Sequence, residues 1–172
     1  AALAAEGEAQ QKLKSNPDYV PALMVQAALL AQRGDAKAAI ETYNSILRRV
    51  PDFAPAQKRL ASLYAQDPST AAAAYDLAMK ARKTLPHDPE LSRLLGRLSY
   101  EKKEYPRAIQ LFMESARKQQ LDPDSLFYLG MSQLQAKQKS EAQGALNQAL
   151  VAGLHEPLAA EAKRALADLH QD

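Results

Sequence analysis

"LLGRLSYEKKEYPRAIQLFMES", residues 94–115, is the stretch on which the fold turns. Leu91, Leu94, Leu95 and Leu98 recur at the spacing of one helical face, yet Gly96 stands among them. A glycine inside a helix costs about 1 kcal/mol relative to alanine. A second stripe, Ala108, Phe112 and Ser115, opens at Pro106, a residue tolerated in a first helical turn. Two helices joined by a short polar connection form a hairpin, and the glycine belongs where one must approach the other closely.

The same arrangement recurs along the chain. Gly130 lies 34 residues after Gly96, and Ala61 and Ala27 precede it at steps of 35 and 34. A second series of small residues runs Ala39, Ala74, Ala108, Ala142. Four residues beyond these come Tyr43, Ala78, Phe112 and Leu146, and Pro51 and Pro86 close the first two units. A fixed period near 34 with this order of small, large and proline positions indicates a helical solenoid.

On these residues the chain resembles the tetratricopeptide repeat (TPR) family, whose pattern is W-x₂-L-G-x₂-Y…A-x₃-F…P. Leu95-Gly96 and Leu129-Gly130 keep the Leu-Gly pair. The Trp place holds Leu23, Gln57, Ser92 and Leu126, and the Tyr place Leu30, Tyr64, Ser99 and Gln133. Gln120 and Leu154 replace the closing proline of the third and fourth units. The resemblance implies an all-α fold, a right-handed α-solenoid of stacked antiparallel helix pairs. In each pair the backbones approach where Ala27, Ala61, Gly96 and Gly130 face Ala39, Ala74, Ala108 and Ala142.

The period divides one array, 1–172, into a leading half-repeat helix in 1–18 and repeats over 19–53, 54–88, 89–122 and 123–156. Residues 157–172 are a capping helix or the start of a further repeat. It predicts helices over 3–14, 19–33, 36–49, 54–66, 70–84, 89–103, 105–119, 123–137, 140–153 and 157–170. The turn signals agree: "RGD" at 33–35, "DPST" at 67–70, "NPD" at 16–18 and "LDPDS" at 121–125. The leading helix takes the place of the second helix of a unit, with Ala5 and Ala9 spaced like Ala108 and Phe112. A half unit leaves an apolar face open, which points to a segment excised from a longer array and offers a route to self-association. A capping N-terminal helix is the milder reading.

Composition sets the remaining bounds. Aromatics are 6% and tryptophan is absent, so the core is built from Leu and Ala with a few Tyr, Phe and Met. The formal charge of +2 argues against a globally electrostatic nucleic-acid binder. With no cysteine there are no disulfides, thiol chemistry or Cys-based zinc sites, and bacterial periplasm and cytoplasm are both compatible. No run approaches the ~18 apolar residues of a membrane span. The opening "AALAAEGEAQ" lacks the basic region and apolar core of a signal peptide, and it lacks an initiator Met, as in a processed or excised chain.

Nothing in the sequence carries catalysis. His87, His155 and His170 fall on separate loops or the C-terminus, and Glu101 and Glu104 are solvated helix charges. There is no phosphate-binding glycine loop, H-E-x-x-H or nucleophile elbow. The expectation is no enzyme, no cofactor and no metal.

What remains is surface. The family resemblance implies that the first helices line a concave groove for a protein or peptide partner. Carried over, its positions are Met24 and Ala28, then Lys58 and Ser62, then Arg93, Arg97, Tyr100 and Glu101, and finally Phe127, Met131 and Leu134. The sharp expectation is an acidic partner held by Lys58, Arg93 and Arg97, with an apolar anchor on Tyr100, Phe127 and Met131. The plain alternative makes the arginines solvated charges and Phe127 and Met131 core. The Lys/Asn/Asn/Lys/Arg clamp by which some members bind chaperone C-termini is absent, since Met24, Ala28, Arg59, Glu90 and Leu94 stand there. Similar Ala- and Gln-rich arrays occur in bacterial envelope assembly and polysaccharide export. A nucleic-acid-binding helical repeat is the alternative function; against it stand the near-neutral charge and no basic residue at a fixed place in every unit.

Overall fold

A computed structural model describes residues 2–169 of the chain. Among the described residues there are ten α-helices, one 3₁₀ turn and no strand. The chain divides into two compact units, Ala1–Pro86 and His87–Asp172, with the boundary in the loop after the second helix pair.

The first unit contains α1 (Ala2–Ser15), α2 (Val20–Gln32), α3 (Ala36–Arg49), α4 (Ala54–Tyr64), the turn Pro68–Thr70 and α5 (Ala71–Thr84). Its core gathers Leu23, Ala27, Tyr43, Ile46, Ala56 and Leu60, with Leu13, Met24 and Leu77 packed against it. The second unit contains α6 (Pro89–Glu101), α7 (Tyr105–Ala116), α8 (Pro123–Gln135), α9 (Lys139–Val151) and α10 (Leu158–Leu169). One cluster joins Ala108, Phe112, Leu121, Leu129 and Ala145. Another joins Phe127, Met131, Leu146 and Ala149 to Ala159, Ala162, Ala165 and Leu166 of α10. The helices fall where the period placed them. The largest shift is at α7, which ends at Ala116 rather than 119, and α4 ends at Tyr64 rather than 66 because "DPST" forms its own turn. There the Asp67 carboxylate accepts from Ser69 N at 2.8 Å and Thr70 Oγ1 donates to Tyr64 O at 2.6 Å.

Helix starts are written in aspartates. Asp35, Asp88 and Asp122 accept from the backbone N–H three residues on, at 3.0, 2.8 and 2.9 Å, each satisfying a donor the helix leaves open. The ends of α2, α6, α8 and α9 follow one motif. Glu104 N donates to Ser99 O at 2.9 Å and Lys103 N to Tyr100 O at 2.8 Å, the paired bonds of a Schellman end; Gln138 and Lys137 repeat it on Gln133 and Leu134. The motif needs a left-handed residue, and Gly34 supplies it after α2 at φ 83°. After α6 and α8 the same place is held by Lys103 at φ 61° and Lys137 at φ 62°.

All eight small repeat positions, Ala27, Ala39, Ala61, Ala74, Gly96, Ala108, Gly130 and Ala142, are buried. What the glycines admit, however, is not the facing alanine but the large residue one turn beyond it. A methyl group on Gly96 would lie 3.0 Å from Phe112 Cζ, and one on Gly130 would lie 2.8 Å from Leu146 Cγ and 3.2 Å from Leu146 N. The close approach at Gly96 is therefore helix backbone against a buried side chain, and at Gly130 it extends to the backbone of α9. Polar residues at degenerate positions are accommodated individually: Ser92 Oγ donates to Glu114 Oε1 at 3.1 Å, Ser115 Oγ to Pro89 O at 3.0 Å, and Gln57 Nε2 to Pro51 O at 2.8 Å. At the Tyr place of the third and fourth pairs, Ser99 Oγ and Gln133 Oε1 are buried without a hydrogen bond.

Candidate functional site

In the second unit the first helices α6 and α8 present the expected groove positions, and their fates differ. Arg93 leans toward α8, with Nε 3.4 Å from Asp122 Oδ2 and Nη1 donating to Gln119 Oε1 at 3.2 Å; its side chain is 17% exposed. Arg97 lies 3.3 Å from Glu101 Oε1 on the next turn of its own helix. Both guanidinium groups thus face carboxylates of the chain itself, and the basic centre expected from sequence is locally balanced.

Phe127 and Met131 are corrections. Phe127 is 1% exposed and Met131 8%, both inside the cluster shared with α9 and α10. The physical reason is the last helix: α10 covers the side of α8 on which they lie, so Phe127 forms no open surface and Met131 reaches only the wall of the cleft between α8 and α10. Leu134, one turn further on, stays partly exposed. Tyr100 packs on Tyr105 at 5.9 Å between ring centres and on Tyr128 at 5.2 Å. Burial raises the pKa of both Tyr100 and Tyr128, and the Glu161 carboxylate raises them further.

Beside this cluster lies a cleft of about 540 Å³ between α8 and α10. Met131, Leu134, Ala165 and Leu169 give it apolar walls, and Lys139, Arg164, Glu161 and Asp168 carry charges of both signs around it. The α10 side was missed by sequence reasoning, which gave 157–172 as a capping helix or the start of a further repeat and carried no groove position onto it. The signal was present: Phe127, Met131 and Leu134 step by about one period to Glu161, Ala165 and Asp168.

In the first unit Met24 packs on the α2–α3 core and Ala28 and Lys58 are partly buried. Ser62 is exposed on α4, its hydroxyl donating to Lys58 O at 3.1 Å. Lys14, Arg48 and Arg82 occupy the last turns of α1, α3 and α5, and Arg117 caps α7, at steps of 34, 34 and 35. A basic residue thus recurs at one place in α1, α3 and α5 and at the end of α7, but Val151 stands there in α9, so no place is basic in every unit. Basic residues there complement the helix dipole, which explains them without a polyanion. Arg49 in the same turn is paired with Asp18. His87 and His155 are exposed, and His170 lies outside the described residues. No helix among the described residues is long and apolar enough to cross a membrane.

A family model described as tetratricopeptide repeat matches residues 3–54 and 60–125, more than half of the chain. Among solved structures, TTC0263, a thermophilic TPR protein of Thermus thermophilus, is 19% identical with a TM-score of 0.65, covering 96% of this chain and 91% of its own. YrrB, described as a TPR protein with an unusual peptide-binding site, is 15% identical with a TM-score of 0.72, over 95% and 93%. The Cut9–Hcn1 hetero-tetramer of APC/C matches at 21% identity and a TM-score of 0.74, over 99% of this chain and 33% of that one. No curated protein sequence matches.

Proposed function

The chain belongs to the tetratricopeptide repeat family, generally non-catalytic scaffolds for protein–protein interaction, and from that premise we propose that it binds an extended partner segment in the α8–α10 cleft. The observation that carries this is the cleft itself, apolar between Leu134, Ala165 and Leu169 and edged by Lys139, Arg164, Glu161 and Asp168. Such a site takes one apolar side chain and holds the flanking residues by charge. Because both signs surround it, the fitting segment carries an apolar anchor with charges of both signs, rather than a run of acidic residues. Arg93 and Arg97 of the expected basic groove contribute less, since Asp122 and Glu101 already face them. A setting in bacterial envelope assembly or polysaccharide export, which the Ala- and Gln-rich composition evokes, belongs to the same proposal.

The test is a random-peptide display selection against the whole chain, followed by anisotropy titration of the selected peptides. Leu134→Asp puts a charge on the apolar wall and is expected to weaken binding about tenfold or more, with helicity unchanged by circular dichroism. Peptides that bind Leu134→Asp and Arg164→Glu as tightly as the wild type would remove the cleft from the function.

A further inference from the structure

Beside the α8–α10 cleft the second unit carries an aromatic surface that an apolar anchor in the cleft leaves unused. Tyr100 of α6 and Tyr128 of α8 lie against each other at 5.2 Å between ring centres, tilted by 56°. Tyr105 supports Tyr100 at 5.9 Å, and Phe127 meets Tyr128 edge-on at 5.2 Å. Both rings are half-buried and pack on the cluster that Leu134 of the cleft wall also packs on. A buried tyrosine usually gives its hydroxyl a partner. Among the described residues neither of these phenol oxygens is hydrogen-bonded, and neither is sealed from solvent.

The charges around the rings choose the occupant. Burial raises the pKa of both phenols; at Tyr128 Arg97 acts against it, and Glu101, Asp124 and Glu161 add to it. Glu161 acts on Tyr100 as well, so carboxylates from α6, α8 and α10 gather about one aromatic pair. Arg97 is the cation among them, and Glu101 already lies 3.3 Å from its Nε. Asp124 and Glu161 are exposed, and among the described residues neither carboxylate has an ion-pair partner. The charge left over is negative. It repels a carboxylate, and it repels the phosphate that a stacked nucleic-acid base would bring with it. A lysine or arginine meets both features: its methylene stem covers the rings while its head is held by ring faces and carboxylates together.

We propose that the partner segment carries a lysine or arginine near its apolar anchor, and that this side chain seats on Tyr100 and Tyr128 with its head at Glu161 and Asp124. The inference rests on the α8–α10 cleft as the place of binding and names the chemistry of the neighbouring position. Glu161 links the two, since it edges the cleft and acts on both tyrosines.

The probes are peptides from the display selection against the whole 172-residue chain, labelled with fluorescein, each paired with a form in which the basic residue is alanine. The selected peptides are expected to hold lysine or arginine at one fixed separation from the apolar anchor. Its change to alanine is expected to weaken binding about tenfold in anisotropy titrations. Glu161→Gln and Tyr128→Leu, each measured against both peptides, locate the contact. Each variant is expected to weaken the parent peptide about fivefold and to leave the alanine peptide unchanged. Glu161 is exposed, so its variant carries the test even where Tyr128→Leu disturbs packing, and circular dichroism checks the helicity of both. Selected peptides with an acidic residue, or with no fixed charge, at that separation overturn the proposal. So do variants that weaken both peptides alike, or neither. Leu134→Asp tells the two readings apart. Peptides that lose affinity to it but show no coupling at Glu161 or Tyr128 overturn this inference and leave the cleft standing. Peptides indifferent to both Leu134→Asp and Arg164→Glu overturn the cleft and this inference with it.

Discussion

Alanine at Gly130 is the sharpest test of what the glycines do. In a helix interior the substitution alone favours folding by about 1 kcal/mol. Gly144 and Gly130 lie in adjacent helices of the same unit, so they can be compared directly. At Gly144 of α9 a methyl group meets nothing within 4 Å, and Gly144→Ala is expected to stabilise by about that amount. At Gly130 the same methyl lies 2.8 Å from Leu146 Cγ and 3.2 Å from Leu146 N. The first atom is the branch point of a fully buried side chain and the second is backbone, so relief requires α9 to move. Overpacking of this kind costs about 1–3 kcal/mol, which exceeds the propensity gain over most of its range. The expected net effect is destabilisation by about 1 kcal/mol. Gly96→Ala falls between the two, because its methyl meets the far edge of the Phe112 ring at 3.0–3.1 Å and a ring can tilt by tenths of an ångström. Urea midpoints at constant m-value read the series, with circular dichroism as the signal. The order of stability is Gly144→Ala above wild type and Gly130→Ala below it. A Gly130→Ala protein as stable as Gly144→Ala would refute close approach as the reason for the glycine.

Two further outcomes are expected. Lys103 and Lys137 hold left-handed conformations that disfavour a Cβ, so Lys103→Gly and Lys137→Gly each raise stability by about 0.5–1 kcal/mol, the strain relieved less the entropy glycine adds to the unfolded chain; an unchanged or lowered urea midpoint refutes this. Burial raises the Tyr128 pKa above the ordinary value of 10.0, so the folded chain keeps a proton that the unfolded chain loses, and this contribution to stability, full below pH 10, is lost as pH rises through and above it. In an absorbance titration at 295 nm, Tyr128→Phe is therefore expected to remove part of the tyrosinate rise above pH 10, and a loss confined below pH 10 contradicts the burial argument.

The helix-pair fold was legible because its signals are local and repeat. Gly96 and Gly130, the closing prolines and the capping aspartates each say little alone, but a period near 34 sets them in one register. The identity of the residue each glycine admits was not legible, because facing alanines and a large residue one turn away satisfy the same spacing; only the distances to Phe112 and Leu146 separate them. The left-handed ends at Lys103 and Lys137 were hidden for a related reason. Lysine carries no turn preference, and only the equivalence with Gly34 marks the place. The groove failed most instructively. Arg93 and Arg97 read as basic from their own helix, but a surface potential is set by all the helices around it, and Asp122 comes from the next pair. Likewise Phe127 and Met131 are anchors only if nothing follows α8, whereas α10 takes up their exposed side and opens a new cleft at Leu134 and Ala165. In a stacked architecture each helix has one neighbour that its own repeat supplies and another that the next repeat supplies. Core positions can be read from the first relation. A binding surface is whatever the second leaves uncovered, and the cleft beside Leu134 and Ala165 is such a place.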